Sequence, residues 1–166
     1  ECIQYLNLEP GMAIADGTFG GGGHSAEILK RILPDGTLIG IDKDPEAILR
    51  GEKIFSLYSK NVRLVHDDYM NIERILSNLN IKEIDGALLD LGVSSFQLDD
   101  QARGFSYKAD VMLDMRMDNT KGITARDVVN GYSASQLADI FFRYGEEKWS
   151  KRIAEFIVLK RKTKEI

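Results

Sequence analysis

The run Asp16-Gly-Thr-Phe-Gly-Gly-Gly-Gly-His24 holds four consecutive glycines. Such a run lets the backbone turn tightly and lets a ligand come close with no side chain between. A helix starting at its end would aim free N–H groups into the same crevice, which favours phosphate, carboxylate or similar groups. A flexible linker is the plain alternative, but linkers do not sit between a buried strand and an amphipathic helix. A G-x-G-x-x-G dinucleotide fingerprint starting at Gly20 needs glycine at position 25, where this chain has Ser25. That counts against a dinucleotide and leaves other nucleoside-like ligands open.

Three further residues have types and positions suited to such a ligand. Asp42 follows the glycines by about twenty residues, where an acid can accept hydrogen bonds from both hydroxyls of an adenosine ribose. Asp44, in Asp42-Lys-Asp44-Pro45, can cap a helix starting at Pro45, which leaves Asp42 for the ligand. Asp42 could also be only a loop acid. Tyr69, in His66-Asp-Asp-Tyr69, is an aromatic that can stack on or edge against an adenine ring, or it packs on the sheet. His66 carries no assigned chemistry. Asp90 begins Asp90-Leu-Gly-Val-Ser-Ser-Phe-Gln97. An exocyclic amine on a base is a poor nucleophile, because its lone pair is delocalised into the ring. An enzyme that methylates it needs acceptors to hold the N–H groups and turn the lone pair toward the methyl donor. Asp90 is an acceptor of that type, or a strand-end acid bonded to nearby backbone. The prolines and aromatic that follow the acid in many amino methyltransferases are missing here.

These residues fall at the ends of alternating elements. Met12 to Asp16, Thr37 to Asp42, Val62 to Val65 and Ile84 to Asp90 read as strands. Helical spacing appears over His24 to Leu33, from Pro45 to about Tyr58, and over Ile72 to Leu79. This alternation predicts a parallel sheet with right-handed crossovers. From Gly92 to Gly122 no periodicity is clear, and long ordered loops are usually functional. Thr124 is expected to cap a helix to about Val129, and Ser135 one over Gln136 to Tyr144, with Gly145 as its stop. Trp149, Ile153, Phe156, Ile157 and Lys160 recur at helical spacing.

The motifs resemble one family closely. They are Asp16 to Ser25, Ile41-Asp-Lys-Asp-Pro45, Leu88-Leu-Asp-Leu-Gly-Val-Ser-Ser95, Gln97-Leu-Asp-Asp100, Arg103-Gly-Phe-Ser106 and Leu113-Asp-Met-Arg-Met-Asp118. They run in order and are similar to the MraW family of ribosomal RNA small-subunit methyltransferases, from about Leu6 to Ile157. The resemblance implies an α/β, class I S-adenosylmethionine-dependent methyltransferase fold, a Rossmann-like parallel sheet with an inserted helical domain. It implies residues 1–100 as the first half of the cofactor-binding domain, 101–166 as part of the insert, and both as incomplete. The implied activity is N4-methylation of a cytidine in 16S ribosomal RNA near the decoding centre. Its partner would be 16S rRNA or the small ribosomal subunit. S-adenosyl-L-methionine contacts are implied at Gly22, Gly23, His24, Asp42, Tyr69, Asp90 and Gln97, with Asp90 also the catalytic candidate and no metal. His24 and Gln97 rest on the resemblance alone. Two departures stand out: Phe96 where the family usually has proline, and Val111-Met112 where it has Gly-Pro.

Composition narrows the classes. Hydrophobic residues make up 43% of 166, enough for a core, and no run is long enough to span a bilayer. Glu1 to Leu8 show no signal-peptide pattern. The single cysteine, Cys2, allows no internal disulfide, and no cysteine–histidine cluster suits zinc, so a cytoplasmic setting is expected. Arg143 to Ile166 carry eight Lys or Arg and four Glu, which leaves the remainder at −8 within a chain of net charge −4. A basic segment beside an acidic body suits RNA on one side, or is a solvated helix face. The competing functions are a small-molecule amine methyltransferase, a nicotinamide-dependent oxidoreductase, and a non-catalytic RNA-binding module on the same fold.

Overall fold

The computed structural model describes residues 2–166. It divides into two compact units, Glu1–Phe96 and Gln97–Ile166. The first holds α1 (Cys2–Tyr5), β1 (Ala13–Asp16), α2 (Gly23–Ile32), β2 (Thr37–Asp42), α3 (Pro45–Ile54), β3 (Val62–His66), α4 (Ile72–Asn78) and β4 (Gly86–Leu88). The strands form one parallel sheet in the order β3-β2-β1-β4, the α/β architecture read from the sequence.

Strand side chains alternate between faces, and this sorts the core into two layers. Ile14 and Leu38 join Phe19, Ile28, Leu29, Ile32 and Phe55 beneath α2 and α3. Ala15, Ile39 and Ile41 turn to the opposite face, with Ile75 of α4. The chain steps outward from β1 to β3 and then crosses back to β4 on the other side of β1. The strand order therefore reverses between β1 and β4, and in open α/β sheets the carboxyl ends of the strands at such a reversal are where ligands bind.

The fourth strand is shorter than its apolar run suggests. Asp85 does not extend it, because its carboxylate accepts from the Ala13 N–H at 2.7 Å and ties the strand's entry to β1. Beyond Leu88 the chain leaves the ladder, and the Asp90 N–H donates to Thr18 Oγ1 at 2.7 Å. Leu89 and Leu91 are exposed.

Helix α5 (Ser95–Asp99) leads into the second unit, which holds α6 (Ala125–Gly131), α7 (Ala134–Gly145) and α8 (Ser150–Lys160). Leu137 and Ala154 are fully buried there. Thr124 caps α6 through a reciprocal capping box with Asp127, as the sequence indicates. The cap of α7 is Ser133, not Ser135. Only Ser133 stands three residues before a side chain, Gln136, that can return the bond to the cap's own N–H.

The stretch between α5 and α6 has little regular structure but is densely bonded. The buried Arg103 guanidinium donates to the carbonyls of Arg116, at 2.9 Å, and Met117, at 2.7 Å. Arg116 grips both carboxylate oxygens of Asp114, at 2.8 and 2.7 Å, and holds that carboxyl below the usual range. The carbonyls of Leu113 and Asp114 accept the N–H groups of Arg126 and Ala125, which open α6. The motif Leu113–Asp118 thus supplies acceptors to a helix N-terminus that would otherwise lack them.

Candidate functional site

The carboxyl ends of β1, β2 and β4 bring most of the selected residues to one place. At the end of β1 Asp16 is fully buried. It accepts from Ser25 Oγ at 2.7 Å and from the Thr18 N–H at 3.2 Å, and so ties β1 to the first turn of α2. Burial pushes its carboxyl above the ordinary carboxylate value. The bonds from Ser25 and Thr18 and the His24 charge work against that rise, while Asp42 adds to it. In the sequence Asp16 stands out only as the acid before the glycines. The signal for its role is Ser25, in the first turn of α2 and buried.

An acid with a raised value in the folded state binds its proton more tightly folded than unfolded. The stability it lends is fully present below the unfolded value, 3.8, and is lost as pH rises through the folded one. Asp16→Asn keeps an acceptor for Thr18 and presents a donor to Ser25, but cannot ionise. The variant's stability relative to wild type is expected to rise as pH is raised above the unfolded value, 3.8, measured by urea unfolding at each pH. A constant difference over that range would show that Asp16 does not titrate as the fold demands.

The glycine run makes a tight turn above this buried acid. Gly22 has φ +76°, and a side chain there would press on Phe19 and Phe55, each 3.0 Å from a built Cβ. It therefore faces the core. Gly23 faces open space and starts α2, which has no side-chain cap at its N-terminus. Asp42, at the end of β2, accepts from the Gly20 N–H at 2.7 Å through one oxygen and from the Asp44 N–H at 2.8 Å through the other. Asp44 caps α3 by accepting from the Glu46 N–H at 3.0 Å, the role its place before Pro45 suggests. Each carboxylate oxygen of Asp42 can accept more than one bond, so two hydroxyl donors can still be taken up.

Tyr69 is half-buried beside Gly17, where a built Cβ would lie 3.0 Å from the Tyr69 Cβ. The Lys43 ammonium lies 5.8 Å from its ring centroid and pairs with Asp68 at 2.8 Å. His66 is exposed, and its Nε2 lies 2.9 Å from the Lys43 carbonyl. The Asp90 carboxylate is well exposed and stands 3.8 Å from His24 Nδ1. Gly22, Gly23, His24, Asp42, Tyr69 and Asp90 all lie in the first unit. Gln97 opens the second and is buried in α5. Among the described residues, no three or more His, Cys, Asp or Glu side chains gather in a group that could hold a metal ion. No described helix is long and apolar enough to cross a membrane.

The sequence pattern of the MraW methylase family matches residues 1–166, the whole chain. The chain belongs to the MraW methylase family. Relatives with the name ribosomal RNA small subunit methyltransferase H include one from Finegoldia magna. It is 46% identical over 166 residues, which cover 100% of this chain and 53% of the relative. One from Geotalea uraniireducens is 50% identical over 161 residues, 97% of this chain and 52% of the relative. The chain thus spans about half the length of the curated relatives it matches. Among solved structures, a SAM dependent methyltransferase from Aquifex aeolicus is 25% identical, with a TM-score of 0.36, over 40% of this chain and 36% of that one. In this MraW methylase chain, Leu113–Asp118 and Arg103 have a structural role that spacing did not disclose: they form one hydrogen-bonded knot.

Proposed function

We propose that this chain is the cofactor-binding portion, with part of a helical insert, of an S-adenosylmethionine-dependent methyltransferase. Its substrate is the N4 amine of a cytidine in 16S ribosomal RNA near the decoding centre, reached in the free RNA or the small subunit in the cytoplasm. Residues 1–100 serve the cofactor and 101–166 belong to the insert. The observation that carries the reading is the arrangement at the carboxyl end of β1, beside the reversal of strand order. There the glycine turn opens an uncapped helix N-terminus and Asp42, at the end of β2, is bonded to Gly20 of that turn. Family membership supports the choice of a methyl donor, and the names of the relatives support the choice of RNA.

The residues fit that cofactor. The N–H groups opening α2, with Gly23 beside open space, suit its carboxylate. Asp42 suits the ribose hydroxyls and Tyr69 the adenine ring. His24 and Asp90, 3.8 Å apart and both exposed, suit the end of the cofactor that faces the substrate. Gln97 is assigned to the cofactor on family resemblance. When bound, S-adenosylmethionine supplies an electrophilic methyl group. Asp90, exposed and anionic, accepts an N–H of the amine and turns its lone pair toward that methyl. The amine needs no base beforehand, since its proton turns acidic only after the methyl has moved. On the basic segment, Lys160 and Lys162 are exposed, as contact with phosphate requires. Arg161 instead donates to the Val129 carbonyl at 2.6 Å, a structural bond.

Calorimetry tests the reading. The chain binds S-adenosylmethionine, and Asp42→Ala weakens binding by about ten- to a hundredfold, the value of hydrogen bonds to a charged acceptor. Because Asp42 also holds Gly20, the loss includes a loosened turn. Unchanged affinity would remove Asp42 from the site, and tighter binding of a nicotinamide dinucleotide would overturn the reading.

A further inference from the structure

The segment from Asp90 to Phe96 lies along the glycine turn. At one end the Asp90 N–H donates to Thr18 Oγ1 at 2.7 Å. In the middle, Ser94 Cβ is 3.9 Å from the position a Cβ on Gly20 would take. At the other end the Phe96 ring lies flush on Gly21, where a built Cβ would fall 2.5 Å from Cε2 and 3.3 Å from Cδ2. Any side chain at 21 would lift the ring. The ring is 48% exposed and would be free to swing away on its own. It is held by Arg50 of α3, whose guanidinium carbon stands 4.6 Å from the ring centroid. The Arg50 Nε is buried without a hydrogen-bond partner, and an Nη1 is only 3.6 Å from Glu46. The ring and the Glu46 carboxylate are thus the two neighbours of the guanidinium.

We propose that Phe96 and Arg50 form a clasp that pins the segment 90–96 onto the glycine turn, positioning Asp90 beside that turn and slowing release of S-adenosylmethionine. The clasp rests on the cofactor reading above for its ligand, but not for its existence. Both partners are positioning residues, since they act through the strap and not on the reacting atoms. A cation stacked on an aromatic face is attracted electrostatically by the ring, and a leucine of similar bulk has no such face.

The test compares wild type with Phe96→Ala, Phe96→Leu, Phe96→Tyr, Arg50→Gln and the Phe96→Ala/Arg50→Gln double variant. Amide hydrogen exchange across 90–96 is measured without ligand, and the dissociation rate of S-adenosylmethionine by stopped flow. Phe96→Ala is expected to speed exchange in the segment and cofactor release by about tenfold, Arg50→Gln by about threefold. Phe96→Leu behaves like Arg50→Gln, because it keeps bulk and loses the stack, and Phe96→Tyr stays near wild type. The double variant is no faster than Phe96→Ala, as expected of one device. Unchanged exchange in Phe96→Ala and Phe96→Leu overturns the clasp. Faster exchange with unchanged release overturns its action on the ligand. If wild type does not bind S-adenosylmethionine, the cofactor reading fails, and the exchange data still decide whether the clasp exists.

Discussion

Asp90→Asn, in a protein with the full length of the family, lowers the single-turnover rate of methyl transfer at saturating cofactor and RNA on the order of a hundredfold. The expectation follows from placement. The Asp90 backbone is fixed by Thr18, while its carboxylate projects into solvent near His24, uncommitted to any buried network. A carboxylate so placed can take an N–H of an incoming amine without first giving up a structural bond. Asparagine keeps the shape and one acceptor oxygen but loses the charge that offsets the cation forming as the methyl moves. The cost therefore falls on the chemical step. An unchanged rate at saturation, with only cofactor affinity reduced, would make Asp90 a binding residue. Orientation of the amine would then pass to other groups, with Ser94 and Ser95 next in line.

Arg103→Met destabilises the chain by about 3 kcal/mol, the cost of removing one partner from a buried, charge-assisted network. The guanidinium is nearly inaccessible and donates to two successive carbonyls, those of Arg116 and Met117. Methionine retains the aliphatic bulk and leaves both carbonyls without their donor. Loss of the clamp also frees the loop that accepts the first N–H groups of α6. Arg103→Lys recovers only part of the loss, since an ammonium cannot present the planar fork. Urea unfolding followed by circular dichroism gives the comparison. A variant within about 0.5 kcal/mol of wild type would show that the knot is not a source of stability.

The sheet and its helices were legible because each element repeats a period. Thr37–Asp42 is buried along nearly its whole length, and Ile28, Leu29 and Ile32 share one face of α2. The ends were less legible where a side chain competes with the ladder, as Asp85 and Thr18 do around β4. The glycine turn announced itself by composition, and Asp42 by its distance from it. What composition could not show is that Asp42 already holds the turn through Gly20. Nor could it show that Gly22 faces Phe19 and Phe55 while Gly23 faces open space. The role of Arg103 was hidden for a similar reason. Its acceptors are backbone carbonyls thirteen and fourteen residues on, and carbonyls leave no mark in a sequence.

The most direct test supplies S-adenosylmethionine labelled in its methyl group, with small ribosomal subunits and with free 16S RNA, to a full-length protein carrying this chain. The label is then located by nuclease digestion and mass spectrometry. Label is expected on N4 of a single cytidine, in one or both substrates, and is expected to be lost in Asp90→Asn. Label only on a small-molecule amine, or bound cofactor with no transfer to RNA, would contradict the proposed function.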